Sequence, residues 1–103
     1  MVVITVMYPG SGDETFDYGY YMSKHIPLVH ERWDGMGMQS LEVLRGSPGP
    51  GGAKPPFSTM AILRFGSLDQ FKAASDAHGT EIFGDIPKFT DAKPVMQFNE
   101  VAG

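Results

Sequence analysis

The alternation of hydrophobic and polar residues predicts six regular elements along the chain. Short β-branched runs bounded by Gly or Pro predict strands, and apolar residues spaced three and four apart predict helices. Four strands are predicted at residues 2–8, 38–45, 57–65 and 95–101, and two helices at residues 16–29 and 67–79. A short irregular helical passage is predicted at residues 80–89, broken at Gly84 and Pro87.

The resulting order, β-α-β-β-α-β, predicts an α+β ferredoxin-like fold. This fold has a four-stranded antiparallel sheet with two helices on one face. The 103 residues are enough for a single domain spanning residues 1–103. The strands carry large apolar side chains on both faces, for example Met60 and Ile62 opposite Ala61 and Leu63. Two helices cover only one face, so we expect a homodimer in which the uncovered sheet faces pack together.

The first helix has one strongly sorted face with a histidine at its centre. On a helical projection, one stripe contains Tyr18, Tyr21, Met22, His25, Leu28 and Val29, and Arg32 extends it. A buried imidazole needs a hydrogen-bond partner or a ligand to offset its desolvation. Two interpretations of His25 therefore remain open, a core histidine bonded to a carbonyl and a histidine that lines a ligand site.

Several residues mark the ends and irregularities of the helices. Asp13 is the predicted N-cap of the first helix, with Glu14 in its first turn. Pro27 lacks the amide proton that would reach the carbonyl of Ser23, which predicts a kink or break beside His25. Residues 67–70 form a capping box for the second helix, and Gly79 is its predicted end.

Residues 46–56 form a predicted mobile hairpin loop. The segment GSPGPGGAKPP contains four Gly and four Pro, which exclude both helix and strand.

The composition excludes several classes of function. The chain has 8 Lys and Arg against 12 Asp and Glu, for a formal net charge of -4, which disfavours nucleic acid and anionic membranes as partners. It has no cysteine, and its apolar N-terminus is too short for a membrane span and unlike a signal peptide. We therefore expect a cytoplasmic protein.

No spacing of ligating side chains predicts a metal or cofactor site. His25 and His30 point about 140° apart on a helix, so they cannot share a metal. His78 and Glu81 are placed to chelate only if the second helix continues past Gly79. The sequence also lacks a phosphate-binding loop and a catalytic carboxylate pair, so we expect no cofactor.

Two segments resemble the EthD family, which is named for ethyl tert-butyl ether degradation. In the segment YPGSGDETFDYGYYMSKHIPLV, the matching residues are Phe16-Asp17, Tyr20-Tyr21, His25 and Pro27-Leu28. In EIFGDIPKFTDAKPVMQFNEV, they are Asp85-Ile86-Pro87, Phe89-Thr90-Asp91 and Pro94 through Gln97. Gly19 departs from the pattern, since relatives tend to have an acidic residue before the tyrosine pair.

The resemblance implies a dimeric α/β-barrel superfamily fold and a small-molecule function. Relatives in that superfamily include cofactor-free monooxygenases, haem-degrading enzymes, lactone isomerases and polyketide cyclases, which bind small or planar organic molecules between helices and sheet. Fold alone does not choose among these chemistries.

The candidate site is a cleft between the helices and the sheet. His25 is the candidate catalytic base, and the phenol of Tyr21 is placed to orient a substrate or to stabilise an enolate or phenolate. The candidate substrate-binding residues are Tyr18, Arg32, His78 and Gln97, with Asn99 beside the last of them. The expected ligand is a small apolar or aromatic metabolite.

Three functions remain open from the sequence. The first is a cofactor-free enzyme that abstracts a proton and leads to oxygenation or isomerisation, resembling an oxidoreductase or an isomerase. The second is a non-catalytic carrier that holds a hydrophobic intermediate for a partner oxygenase. The third is a haem-binding relative with His25 or His78 as axial ligand.

Overall fold

The computed structural model describes residues 1–10 and 15–103. Its four strands are β1 (Val2–Pro9), β2 (Met38–Arg45), β3 (Phe57–Phe65) and β4 (Val95–Asn99). They form one antiparallel sheet in the order β2-β3-β1-β4. Both helices lie on one face of this sheet, so the predicted ferredoxin-like α+β fold is confirmed. The predicted N-cap Asp13 and the first-turn residue Glu14 lie outside the described residues.

The first helix, which we call α1, is built of three consecutive segments. An α-helical turn (Tyr18–Tyr20) leads into a π-helical turn (Tyr21–His25), and an α-helix (Ile26–Trp33) follows. Asp17 caps its start, since its carboxylate accepts a hydrogen bond from the backbone N–H of Tyr20 at 3.0 Å. In the π turn, the N–H of Ile26 reaches back to the carbonyl of Tyr21.

The π turn changes which side chains of α1 face the core. A turn with one extra residue rotates all later side chains of the helix relative to the regular α-helical positions. Ile26 and Trp33, which follow the π turn, are buried, whereas Met22, predicted on the inner stripe, is 49% exposed. The sequence predicts a kink or break beside His25. The helix is not broken at Pro27, since it continues to Trp33, and the irregularity beside His25 is the π turn that ends there.

The second helix, α2 (Leu68–Gly84), is longer than predicted. Its predicted N-cap is confirmed, since the Ser67 hydroxyl accepts a hydrogen bond from the N–H of Gln70 at 3.1 Å. The predicted end at Gly79 is wrong. Gly79 is buried inside the helix, and the next turn buries Ile82 against the core. This packing outweighs the cost of about 1 kcal/mol that a mid-helix glycine carries relative to alanine.

The core fills the space between the helices and the sheet. It contains two groups of aromatic side chains in contact. One surrounds Phe89 near the π turn, and the other surrounds Trp33, whose indole N–H donates to the carbonyl of Ala74 at 2.9 Å. That bond ties α1 to α2 beside the sheet.

The other face of the sheet carries no helix in the described part of the chain. On β1, Ile4, Val6 and Tyr8 point toward the helices and are buried, while the alternate residues are half-buried on the outer face. Among the described residues, no helix is long and apolar enough to cross a membrane.

Candidate functional site

The π turn of α1 ends at His25 and places its ring in the core. His25 is only 4% exposed. Its ring lies nearly parallel to that of Tyr21, with centroids 5.5 Å apart and an angle of 16° between the planes. Phe89 contacts the same imidazole at a centroid distance of 4.7 Å. The predicted pair of His25 and Tyr21 is thus brought together by ring stacking.

The partner of His25 is a buried carboxylate from the other end of the chain. Asp85, which follows α2 directly, places its Oδ2 atom 3.0 Å from Nδ1 of His25 and is 8% exposed. Its Oδ1 atom accepts a hydrogen bond from the hydroxyl of Tyr20 at 2.8 Å. Lys88 has its Nζ atom 3.7 Å from the same oxygen. The carboxylate therefore links α1 to the end of α2.

The charge states of this pair follow from its surroundings. Burial lowers the pKa of His25 below its ordinary value, and this outweighs the opposite effect of the neighbouring carboxylate. Burial alone would raise the pKa of Asp85, but the hydrogen bonds from His25 and Tyr20 and the charges of His25 and Lys88 hold it below its ordinary value. Near neutral pH the pair is therefore a neutral imidazole beside an ionised carboxylate.

This charge state fixes the tautomer of His25. An ionised carboxylate can only accept hydrogen bonds, so Nδ1 of the imidazole carries the proton. Nε2 then has a free lone pair. No described residue is hydrogen bonded to Nε2. A histidine held in this way has one nitrogen prepared to accept a proton.

A small cavity lies between His25 and the sheet. Its volume is about 30 Å³, which is room for one or two water molecules. The polar side chains on its wall include His25 and two phenols, those of Tyr8 and Tyr21. Burial raises the pKa of both phenols, and a neighbouring tyrosine adds to each shift, so both remain protonated. The rest of the wall is almost wholly apolar.

Two of the predicted substrate-binding residues are engaged elsewhere by side-chain partners. The hydroxyl of Tyr18 donates to the carbonyl of Ser58 at 3.0 Å and is also hydrogen bonded to the hydroxyl of Thr59. Arg32 is bound through two nitrogens to the carboxylate of Glu81 on the surface, at 2.8 and 3.2 Å. Neither residue lines the cavity beside His25.

The other two predicted substrate-binding residues are also not brought to His25. Gln97 pairs with Thr5 on β1, which places both on the outer face of the sheet, because side chains alternate along a strand. His78 lies half-buried within α2 and does not line the cavity. Its predicted place at a helix end is wrong, because α2 continues past it.

Two residues of the site, Asp85 and Tyr20, are not predicted from the sequence. Both stand in the segments that resemble the EthD family, but neither was assigned a role. A buried histidine requires a partner, and Asp85 sits in the second of those segments. The sequence does not show which polar residue lies within hydrogen-bond distance of His25, since Asp85 is 60 positions away along the chain.

No other cluster in the described residues suggests a metal site. No group of three or more His, Cys, Asp or Glu side chains converges there. His30 pairs with Asp34 on the surface of α1 at 2.9 Å, well apart from His25. Although α2 continues past Gly79, the carboxylate of Glu81 pairs with Arg32.

Comparison with known proteins identifies the family. No protein-family model matches the chain, and no curated protein does. Among solved structures, an EthD-like protein from Ralstonia eutropha is 38% identical over 99% of this chain and 92% of its own, with a TM-score of 0.90. The chain belongs to the EthD-like proteins. A second structure, an ethyl tert-butyl ether degradation family protein from Bacillus halodurans, is 17% identical over 99% of both chains, with a TM-score of 0.68.

Two further structures share the fold of this EthD-like protein. Rv0793 from Mycobacterium tuberculosis is 10% identical over 99% of this chain and 94% of its own, with a TM-score of 0.53. A mutant of MhuD, solved with two manganese protoporphyrin IX molecules bound per active site, is 18% identical over 97% of this chain and 92% of its own, with a TM-score of 0.53. At these identities the likeness shows the fold alone.

Proposed function

We propose that this EthD-like protein binds a small apolar or aromatic molecule against His25 and removes a proton from it without a cofactor. The observation that carries the proposal is the buried pair of His25 and Asp85 at the wall of an apolar cavity. Buried titratable groups that are paired beside a cavity are typical of functional sites.

His25 acts as the base through Nε2. Asp85 holds the proton on Nδ1 and stabilises the imidazolium that forms when Nε2 accepts a proton from the substrate. The hydroxyl of Tyr21 acts as the hydrogen-bond donor to the oxyanion of the substrate, because its raised pKa keeps it protonated. The substrate carbanion or enolate is then the species from which isomerisation, or reaction with dioxygen, proceeds.

A porphyrin does not fit this site. The cavity beside His25 has a volume of about 30 Å³, far below that of a macrocycle. The bond from Nδ1 of His25 to Asp85 leaves Nε2 free to bind a metal, but the cavity that His25 lines is too small for the ring, and His78 lies outside the cavity wall. The proposed mechanism therefore uses no haem.

The elimination of 5-nitrobenzisoxazole tests the base. This reaction begins with removal of one C–H proton and releases a coloured phenolate when the N–O bond breaks, so it reports a reachable base in an apolar site. We expect turnover by the wild-type protein, with a loss of about 10²–10⁴-fold in His25→Ala, the range that a general base contributes.

The chain offers a matched control on the same helix. His30 also pairs with an aspartate, Asp34, but this pair is on the surface. His30→Ala should keep the wild-type rate. Equal rates in wild type and His25→Ala would refute the proposal that His25 is the base. If the protein binds an aromatic probe in a thermal-shift assay but never accelerates its reaction, the protein is a carrier instead.

We also propose that two copies pair through the outer face of the sheet. Val3, Met7, Met60 and Ile62 are half-buried there, with no helix of the described chain above them. Burial of these side chains against a second copy removes apolar surface from water. Sedimentation velocity at micromolar concentration should show a dimer, and a stable monomer over that range would contradict the proposal.

A further inference from the structure

A surface groove lies directly outside the cavity that His25 lines. It is formed by the segment between α2 and β4 and has a volume of about 410 Å³. That volume is within the range of small-molecule binding sites. Its apolar lining includes Pro87, Ala92 and Pro94, and its charged residues are Asp91 and Lys93.

One wall separates the groove from the cavity. Phe83 and Ile86 line both spaces. Asp85, which holds His25 through a 3.0 Å hydrogen bond, stands between these two residues in the chain. The wall and the partner of the base are therefore parts of the same short segment.

The two wall residues differ in how firmly they are held. Ile86 is buried and begins a short 3-10 turn with Pro87. Phe83 is only half-buried, and the one ring it contacts among the described residues is that of Trp33, with centroids 6.3 Å apart. Phe83 is thus the less firmly held of the two wall residues.

We infer that the groove is the outer half of the binding site and that Phe83 is the gate between it and His25. The inference rests on the proposed function and adds the ligand's route and class. The cavity alone holds one or two water molecules, so a larger ligand needs a second space that adjoins this cavity. The ligand is an uncharged, mainly apolar molecule, because the groove is mostly apolar and Asp91 and Lys93 carry opposite charges.

The rate at which diethyl pyrocarbonate modifies His25 tests the route. In this reaction Nε2 attacks a carbonyl carbon of the reagent, an N–C bond forms, and the C–O bond to the departing ethyl carbonate breaks. Nδ1 then loses its proton, which the ethyl carbonate takes up as it decomposes to ethanol and CO₂. The reagent is small, uncharged and apolar. Mass spectrometry of peptides follows His25 and the exposed His30 in the same sample, so His30 serves as the internal reference.

A tryptophan at position 92 should close the groove. We expect Ala92→Trp to slow modification of His25 by about tenfold, which corresponds to about 1.4 kcal/mol, with the rate at His30 unchanged. Ala77→Trp, at an exposed site on α2 outside the groove, should change neither rate. Phe83→Leu should speed modification of His25, since a smaller gate opens more readily. All rates are measured well below the melting temperature of each variant.

Two results would overturn the route. One is an unchanged His25 rate in both Ala92→Trp and Phe83→Leu, and the other is an equal effect of Ala77→Trp. The route and the proposed chemistry can fail separately. If the groove variants alter modification but the wild type does not convert 5-nitrobenzisoxazole, the chemistry fails and the route stands. If His25→Ala abolishes that conversion but groove variants alter neither reaction, the route fails and the chemistry stands.

Discussion

Replacement of Asp85 by Asn should destabilise the protein through the two hydrogen bonds that the carboxylate accepts, from His25 and from Tyr20. The carboxylate accepts the Nδ1 proton of His25 at 3.0 Å, with the two side chains 9% and 5% exposed. A hydrogen bond to a charged group contributes about 1.5–3 kcal/mol to stability and a neutral one about 0.5–1.5 kcal/mol. The amide keeps the shape, and with its oxygen toward the hydroxyl of Tyr20 its NH₂ faces Nδ1 of His25, so both hydrogen bonds become neutral ones and we expect Asp85→Asn to lose about 1–2 kcal/mol. Because Asn carries no charge, the substitution also removes the cost of burying the carboxylate, so we expect a loss of stability near the lower end of this range.

The surface pair on α1 provides the matched control for this change. His30 and Asp34 have the same chemistry at 2.9 Å, but their side chains are 43% and 57% exposed. Exposed pairs at this helical spacing contribute only about 0.3–0.5 kcal/mol. Urea unfolding at pH 7 and one protein concentration gives the midpoint and slope for wild type, Asp85→Asn and Asp34→Asn. If Asp85→Asn is no less stable than Asp34→Asn, the buried bonds do not stabilise the fold.

The same substitution should impair catalysis for a separate reason. An amide at position 85 can donate to Nδ1 of His25, which moves the imidazole proton to Nε2 and removes the free lone pair. We expect Asp85→Asn to lose most of the 5-nitrobenzisoxazole activity at pH 7, while Asp34→Asn retains it. Full activity in Asp85→Asn would show that Asp85 does not set the tautomer of His25.

Two further predictions concern the His25–Asp85 pair, and a third concerns the loop between the second and third strands. Acid should destabilise the fold, because folding lowers the pKa of both His25 and Asp85, so the unfolded state takes up protons at a higher pH than the folded state. The free energy of unfolding should therefore fall as the pH drops below 6.5, the ordinary pKa of histidine, and fall again below pH 3.8, that of aspartate. A flat series of urea midpoints from about pH 7 to pH 5 would contradict the His25 part. His25→Ala should lose about 2–4 kcal/mol, through the void and the unpaired carboxylate, and an unchanged unfolding midpoint would exclude a stabilising role. Deletion of residues 49–52 should shift the melting temperature little, since halving a loop changes its closure free energy by only about 0.6 kcal/mol; a large drop would mean that the loop is packed.

The sequence alone was sufficient for the architecture because the signals involved are local. The strands Met38–Arg45 and Phe57–Phe65 have the predicted bounds, since Gly and Pro mark their ends and their composition is typical of strands. The cap at Ser67 needs only a residue three positions away. The inward position of His25 also followed from spacing, because Tyr21 precedes it by one helical turn and faces the same way.

The tertiary structure alone decided the partner of His25 and the phase of its helix. Asp85 is 60 residues away, and it reaches the imidazole only because α2 continues past Gly79 and ends beside the π turn. Local helix propensity favours an end at Gly79, but the burial of Ile82 in the next turn offsets the free-energy cost of a glycine within the helix. Gln97 was assigned to the wrong face of the sheet because side chains alternate along a strand, so a change of one residue in register reverses every assignment. Local patterns determine elements, whereas contacts between distant residues determine which polar groups meet.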